Sequence, residues 1–350
     1  MKYLPGRSAA AALVPAAVSM RMFWGMTLDF PAAMNAVWIC PLLGFAICLP
    51  LFFAIDQASK MGAQGPWQNL TVNLPDAIRK PLEALMALLL MYDAAFVVRL
   101  TASSSNIIAL GDVTVHLLIV PLGLVIAILV LLGPNAGGNS ARIVLHLLPF
   151  FLLVLLAVQI SSYRINWLAP LLGNGMESIL AGGVYCAGNL ALMSLVWLPA
   201  PPDRNHRGIW RYMLISCIGV SLLLLCFHMS FPVMPDGNFT QAARIELILS
   251  NGRMSLSPQF ILNIMWYGGQ LYLLAAEVLG AAVFLRGIVA KPPLWTIAIA
   301  EALAISIAAV FNAQWLQSCW RVVLLTFPAV GTIISLVMIM EFIRKRGRFS

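Results

Sequence analysis

The sequence predicts an all-α integral membrane protein of about ten transmembrane helices, on three observations. Its composition is 61% hydrophobic and only 10% charged, with a mean hydropathy of +0.91. Its apolar residues are gathered into stretches of membrane-spanning length, and its basic residues are distributed unevenly between alternate loops. A soluble domain carries about 25% charged residues, so most of this surface must face lipid.

The apolar stretches give the spans. A transmembrane helix needs roughly 17 to 25 predominantly apolar residues. Such stretches run approximately over 8–28, 36–55, 82–102, 113–133, 143–161, 178–198, 210–228, 259–285, 293–311 and 322–343. The first could instead be a cleaved signal peptide, but its removal would invert the charge pattern of all later loops. We therefore expect a single polytopic transmembrane domain over 1–350.

The basic residues orient the spans. One set of alternate loops holds only Arg99, Arg164, Arg244, Arg253 and Arg321, and all other Lys and Arg residues except Arg21 fall on the opposite side. Because cytoplasmic loops are enriched in Lys and Arg, both termini are assigned to the cytoplasm of a multi-pass protein in the cell membrane. The basic cluster over 344–348 directly follows the last span, which is typical of a cytoplasmic anchor. No nucleic-acid partner is expected, although the net charge is +8.

Ten spans divide into five plus five, the arrangement of transporters built from inverted repeats around discontinuous helices. The repeats would cover approximately 8–161 and 178–343. Spans one and six are then expected to be the discontinuous ones. Glycines lie in both: Gly25 in the first, and Gly182 and Gly183 in the sixth.

Motifs around the fifth and sixth spans resemble a known family. Asn139-Ser-Ala-Arg142 opens span five, the segment from Asn166 to Gly175 leads into span six, and Trp197-Leu-Pro199 ends it. These segments resemble the endospore germination permeases, the B subunits of germinant receptors, in the amino acid–polyamine–organocation superfamily. The resemblance implies a small nutrient germinant such as an amino acid as ligand, A-type and C-type receptor subunits as partners, and a location in the spore inner membrane.

Ionisable residues inside the membrane are functional candidates because burying them costs several kcal/mol unless they are paired or hydrated. Arg21, Asp93 and Glu277 lie in spans one, three and eight, which the resemblance implies surround the central site. Arg21 could bind a ligand carboxylate through its guanidinium, form an ion pair with Asp93 or Glu277, or reach the outer surface. Asp93 and Glu277 could carry a proton or coordinate a cation, or pair with an arginine. For Glu301, in span nine, a structural or helix-contact role is favoured over ligand contact.

The remaining candidates for substrate binding are neighbours of these charges and of the expected helix breaks. In spans one and three they are Trp24, Gly25 and Tyr92. In span six they are Gly182, Gly183, Tyr185 and Asn189. The alternative for the two adjacent glycines is close helix packing, which favours small residues in any membrane bundle.

Three functions remain after this reading. The first is a germination permease-like subunit that binds a nutrient and signals to partner subunits, and the alternative is a secondary transporter of an amino acid or organic ion coupled to H⁺ or Na⁺. The third is a membrane scaffold with a vestigial site. No nucleophile–base set, phosphate-binding loop or dinucleotide fingerprint is present, so neither an enzyme nor a cofactor is expected. The six cysteines have no CxxC spacing and the four histidines lie in different segments, so no metal site is expected either.

Overall fold

The structure is a computed structural model that describes residue 22 and residues 36–61, 65–105, 114–132, 164–169, 171–199, 208–230, 258–289, 292–319 and 321–346. Throughout these ranges the regular structure is helical. In chain order the helices are α1 (Cys40–Lys60), α2 (Pro66–Thr71), α3 (Asp76–Ser105), α4 (Val115–Leu131), α5 (Met176–Trp197), α6 (Ile209–Ser230), α7 (Pro258–Val289), α8 (Pro293–Val310), α9 (Ala313–Ser318) and α10 (Arg321–Arg346).

Eight of these helices correspond to predicted spans. Seven of the described helices are long and apolar enough to cross a membrane, and α4 is an apolar helix of slightly shorter length. They match every predicted span except the first and the fifth, which apart from Met22 lie outside the described residues together with Arg21, Trp24 and Gly25. The two additional helices, α2 and α9, have six residues each and lie between spans.

The long helices form two groups. In the first group α3, α4, α7 and α8 each pack against the other three. In the second group α1 packs against α5 and α6, and α10 packs against α5. The groups meet where α5 contacts α3 and α7. Moreover, α1, α3 and α4 of the first predicted repeat pack against α6, α7 and α8, which are their counterparts in the second.

Helices α1 and α5 approach each other most closely around Gly44. A Cβ atom built at Gly44 would lie 2.5 Å from the Cβ of Cys186 and 2.9 Å from the backbone nitrogen of Ala187. On either side of this contact the thiol of Cys40 points at the Ile179 carbonyl and that of Cys48 at the Ala187 carbonyl, with S···O distances of 3.7 and 3.2 Å. Small residues therefore let these two helices run side by side in parallel.

The expected break in span six is not observed. Helix α5 is continuous from Met176 to Trp197 and passes through Gly182 and Gly183 without interruption. Gly183 instead faces α1, where an added Cβ would lie 2.6 Å from Leu43. Gly183 thus serves close packing, which was the alternative interpretation. The irregular backbone lies before the helix, where Gly173 and Gly175 have φ angles of 53° and 110°.

Hydrogen bonds join helix ends that the predicted topology places on one side of the membrane. The amide of Trp67, just after α1, donates to the Leu198 carbonyl at the end of α5. Asp56, near the end of α1, is buried and accepts the first amide of α6, from Ile209, at 3.0 Å. Asn73, just before α3, contacts Glu341 near the end of α10. These residues therefore share one end of the bundle, the end predicted to be cytoplasmic.

Candidate functional site

The candidate site lies on the antiparallel helices α3 and α7. Two close approaches fix their alignment, and both are made by glycines of α7. A Cβ at Gly280 would lie 2.9 Å from Leu90, and a Cβ at Gly287 would collide with the carboxylate of Glu83. Both pairs have residue numbers with the same sum, so the antiparallel register is constant over two helical turns.

The same register places Asp93 and Glu277 at one depth. Asp93 lies three residues beyond Leu90 on α3, and Glu277 lies three residues before Gly280 on α7, so each is about 4.5 Å further along its helix from the contact. Both carboxylates are fully buried, with 0% of each residue exposed. The two acids that the sequence singled out thus occupy one level of one packed helix pair.

Helix α5, which belongs to the other helix group, packs against the α3–α7 pair at Gly280. Val196 of α5 lies 3.6 Å from the position of a Cβ on Gly280, so three helices meet at that glycine. Asn189 and Tyr185 are buried further along α5, seven and eleven residues before Val196. At 1.5 Å per residue, Asn189 lies roughly 10 Å and Tyr185 roughly 16 Å from the Gly280 contact. The amide of Asn189 donates to the Tyr185 carbonyl at 2.9 Å.

Tyr92 is directed away from this layer. Its hydroxyl donates to the Leu316 carbonyl in α9 at 2.7 Å, and the side chain is half-buried. Two turns further along α3, Arg99 donates to the Ala308 carbonyl near the end of α8 at 3.3 Å. Tyr92 therefore joins the middle of α3 to α9.

Glu301 has the helix contact that was assigned to it. It is half-buried on α8, and its side chain is hydrogen-bonded to the backbone of Ala127 in α4. The same two helices meet at Gly123, where a Cβ would lie 2.5 Å from Ile305. Within the described residues no group of three His, Cys, Asp or Glu side chains is arranged to hold a metal ion.

Two buried acids were not identified from the sequence. One lies near the C-terminal end of α1 and the other near the N-terminal end of α3. Asp56 is only 6% exposed and Glu83 only 7%. Glu83 accepts a hydrogen bond from the indole of Trp67 at 3.2 Å, and Trp67 itself is buried. A tryptophan directly after Gly65-Pro66, between the second and third predicted spans, was the available signal, because a buried indole N–H requires an acceptor.

Comparison with known proteins identifies the fold. No protein-family model and no curated protein matches the sequence. Among solved structures, the chain is similar to a nucleobase–cation-symport-1 family transporter in a closed conformation with bromovinylhydantoin bound. The TM-score is 0.58 at 14% identity, with 95% of this chain and 78% of that chain covered. It is also similar to a mutant of the Eremococcus coleocola manganese transporter, with a TM-score of 0.58, 15% identity and the same two coverages.

These similarities define the fold. It is the fold of these two transporters, an all-α membrane fold with inverted repeats. Both neighbours are membrane transporters, and neither is an enzyme. At identities this low the comparison establishes the fold alone, and the solute follows only from the chain's own residues.

Proposed function

We propose that this protein is a secondary transporter that binds a small organic solute, such as an amino acid, between its two helix groups and couples its movement to H⁺ or Na⁺. The observation that carries the proposal is the pair of fully buried acids, Asp93 and Glu277, at one depth of packed helices in a transporter fold. The coupling would occur at these carboxylates, and the solute would bind beside them.

The physical reason is the cost of charge in a membrane. A carboxylate at this depth is stable only if it is protonated, paired or coordinated to a cation, so each binding event changes the charge of the layer. Since both acids lie on α3 and α7 and α5 belongs to the other helix group, neutralising them alters the contact between the groups. Binding of a coupling ion, H⁺ or Na⁺, would produce this change of charge.

The solute would contact residues of spans one and six. In this proposal Tyr185 and Asn189, which are buried on α5, line the solute's side of the site. Arg21, with Trp24 and Gly25, would add a cation and an aromatic surface from the first span. A guanidinium binds a carboxylate through two parallel hydrogen bonds, which favours an amino acid or another organic anion.

The second candidate is a germination permease-like subunit in the spore inner membrane. It is favoured by the segment from Asn166 to Gly175, whose sequence resembles that family. The segment begins with a 3-10 turn over Ile165–Leu168 and ends at Gly175, the residue that precedes α5. In this candidate the same site binds a germinant and the change of shape is passed to A-type and C-type subunits. Binding shifts such an equilibrium only by its difference in affinity between two states.

Reconstitution into lipid vesicles tests the proposal. Uptake of labelled amino acids is measured under an imposed pH or Na⁺ gradient for the parent protein, Asp93→Asn, Glu277→Gln and the control Glu301→Gln. We expect both site variants to lose gradient-driven uptake by at least about tenfold while remaining folded, because neither amide can release a proton or hold a cation as a carboxylate does. The control should transport like the parent.

Two other outcomes have definite meanings. Solute-dependent thermal stabilisation without uptake would favour the receptor subunit over the transporter. Gradient-driven uptake of normal rate in both Asp93→Asn and Glu277→Gln would contradict the assignment of the coupling site.

A further inference from the structure

Residues 65–73, here called the strap, cross one end of the bundle between α1 and α3. They include the short helix α2 and begin at Gly65, where an added Cβ would lie 2.7 Å from the Pro199 carbonyl oxygen. This end is the one predicted to be cytoplasmic. The strap contacts helices of both groups, and the contacts are made by side chains as well as backbone.

The strap is joined first to the helix group that contains α5. The backbone amide of Trp67 donates to the carbonyl of Leu198, directly after α5, at 2.9 Å. The side-chain amide of Asn69 donates to the Ala58 carbonyl in α1 at 3.1 Å. Two donors of the strap thus satisfy carbonyls at the ends of two helices of one group, where helix ends leave acceptors without intrahelical partners.

The strap is joined to the other group by the Trp67 side chain. Its indole nitrogen donates to one carboxylate oxygen of Glu83 on α3 at 3.2 Å. Its ring packs edge to face on Phe284 of α7, with 6.0 Å between ring centroids. A single residue therefore bridges α5 on one side and the α3–α7 pair on the other.

Glu83 is held by a close contact with Gly287. Its second carboxylate oxygen has no hydrogen-bond partner in the part of the chain that is described, and it lies where a Cβ on Gly287 would be. Arg79, one turn earlier, approaches the first oxygen at 4.0 Å. A glycine at 287 is thus required for the carboxylate to reach the indole.

The far end of the strap is tied to α10. The side-chain amide of Asn73 donates to the Glu341 carboxylate at 3.2 Å, and Arg344 donates to the Asn73 carbonyl at 3.4 Å. These contacts are exposed and contribute little on their own. They continue the crossing to the last helix of the bundle.

We propose that the strap is the closure of the protein at this end, and that the hydrogen bond between Trp67 and Glu83, made possible by Gly287, is its latch. While this hydrogen bond is formed, the two helix groups stay in contact and cover Val196, which is only 2% exposed. When this hydrogen bond is broken, α5 can separate from α7, and solvent can reach Val196. The inference rests on the proposed function only in that a transporter opens to each side in turn.

Thiol labelling at Val196 tests the latch in the full-length protein. Val196→Cys is introduced alone and together with Trp67→Phe or Gly287→Ala, and the rate of maleimide labelling is followed by peptide mass spectrometry in vesicles that expose this end. Trp67→Phe keeps a ring on Phe284 but removes the N–H donor, and Gly287→Ala displaces the carboxylate. We expect each to increase labelling at position 196 about tenfold, the usual effect of losing a hydrogen bond to a charged group.

Matched substitutions control for the change of residue type. Trp295→Phe alters a tryptophan that is 66% exposed, and Gly219→Ala adds a Cβ that meets nothing within 4 Å. Both should leave labelling at position 196 unchanged. Glu83→Gln retains an oxygen that can accept from the indole. Val196→Cys should therefore be labelled much more slowly in combination with Glu83→Gln than in combination with Trp67→Phe.

The native Cys217 distinguishes opening from general loosening. This thiol is fully buried in α6, eight residues or about 12 Å from Ile209 at the start of that helix. A parallel rise in Cys217 labelling would mean that the fold itself has loosened and would overturn the proposal. Unchanged labelling of Val196→Cys in both latch variants would also overturn it. Because no solute is added, either result is independent of whether the protein transports anything.

Discussion

Replacing Gly44 by alanine should separate the parallel pair α1 and α5, and the size of the effect follows from the structure. The new Cβ would lie 2.5 Å from the Cβ of Cys186, 2.9 Å from the nitrogen of Ala187 and 3.0 Å from the Cys186 carbonyl carbon. Two of these three atoms belong to the backbone, so no side-chain rotation relieves the contact. Overpacking of this kind costs about 1–3 kcal/mol.

Gly219→Ala supplies the reference because its Cβ meets nothing within 4 Å. Both substitutions gain about 0.5–1 kcal/mol from replacing a glycine within a helix. Their difference therefore isolates the contact with α5. We expect Gly44→Ala to be less stable than Gly219→Ala by about 1–3 kcal/mol.

Thermal unfolding in lipid nanodiscs, followed by a thiol-reactive fluorophore, measures this difference. Cys48, Cys186 and Cys217 are free and buried in the folded protein, so they react when it unfolds. The midpoint temperature of Gly44→Ala should be below those of the parent and of Gly219→Ala. A midpoint equal to that of Gly219→Ala would refute the close approach of α1 and α5 at Gly44.

Two predictions concern parts of the chain outside the described residues. Cysteines placed in the 200–209 loop and after residue 346 should be labelled from the cytoplasm and those in 235–255 from outside; external labelling of the tail would contradict the ten-span topology. Arg21→Met should destabilise the protein by about 3–5 kcal/mol, with recovery when Asp93 or Glu277 is also neutralised, if Arg21 forms an ion pair with that acid. If Arg21 binds a ligand carboxylate, thermal stability is kept and ligand response is lost without rescue.

Hydropathy located the spans because each apolar helix must be continuous to cross lipid. It placed their ends less well. Helix α3 begins at Asp76 and not near residue 82, since its first turns carry the ion pairs Arg79–Asp76 at 2.6 Å and Lys80–Asp76 at 3.3 Å. These charged turns extend the helix beyond its apolar part, where a hydropathy window cannot follow it.

Glycine patterns were less informative because one residue type serves two purposes. Gly182-Gly183 was compatible with a helix break and with helix packing, and the choice depends on whether Leu43 of α1 is beside it. That neighbour lies about 140 residues away in sequence, so the local pattern does not contain it. The packing between α1 and α5 decides for a continuous helix.

The sequence likewise indicated some of the buried acids and not others. Asp93 and Glu277 stand out as charges in apolar stretches, and their burial confirms that they are interior residues. Glu83 did not stand out because it lies at the edge of a span, where a charge is ordinarily exposed. Its burial results from Trp67 and Gly287, which come from two other segments of the chain.

The candidate site and the latch lie on the same two helices. On α3, Glu83 lies ten residues from Asp93, and on α7, Gly287 lies ten residues from Glu277. Ten residues of helix span about 15 Å, and both helices are continuous over that distance. We therefore expect a change in the spacing of α3 and α7 at the acids to reach the contact between Glu83 and Gly287.

This arrangement leads to the last prediction, which joins the two proposals. Glu277→Gln has the charge of a protonated, loaded carboxylate, so it should weaken the closure and raise labelling of Val196→Cys a few-fold without any change in the strap. Combined with Trp67→Phe, it should add much less than its separate effect, because it acts by weakening a hydrogen bond that Trp67→Phe has already removed. Independent effects would multiply the labelling rates instead. A multiplied rate, or a Glu277→Gln protein that labels like its parent, would show that the acids and the latch are not coupled.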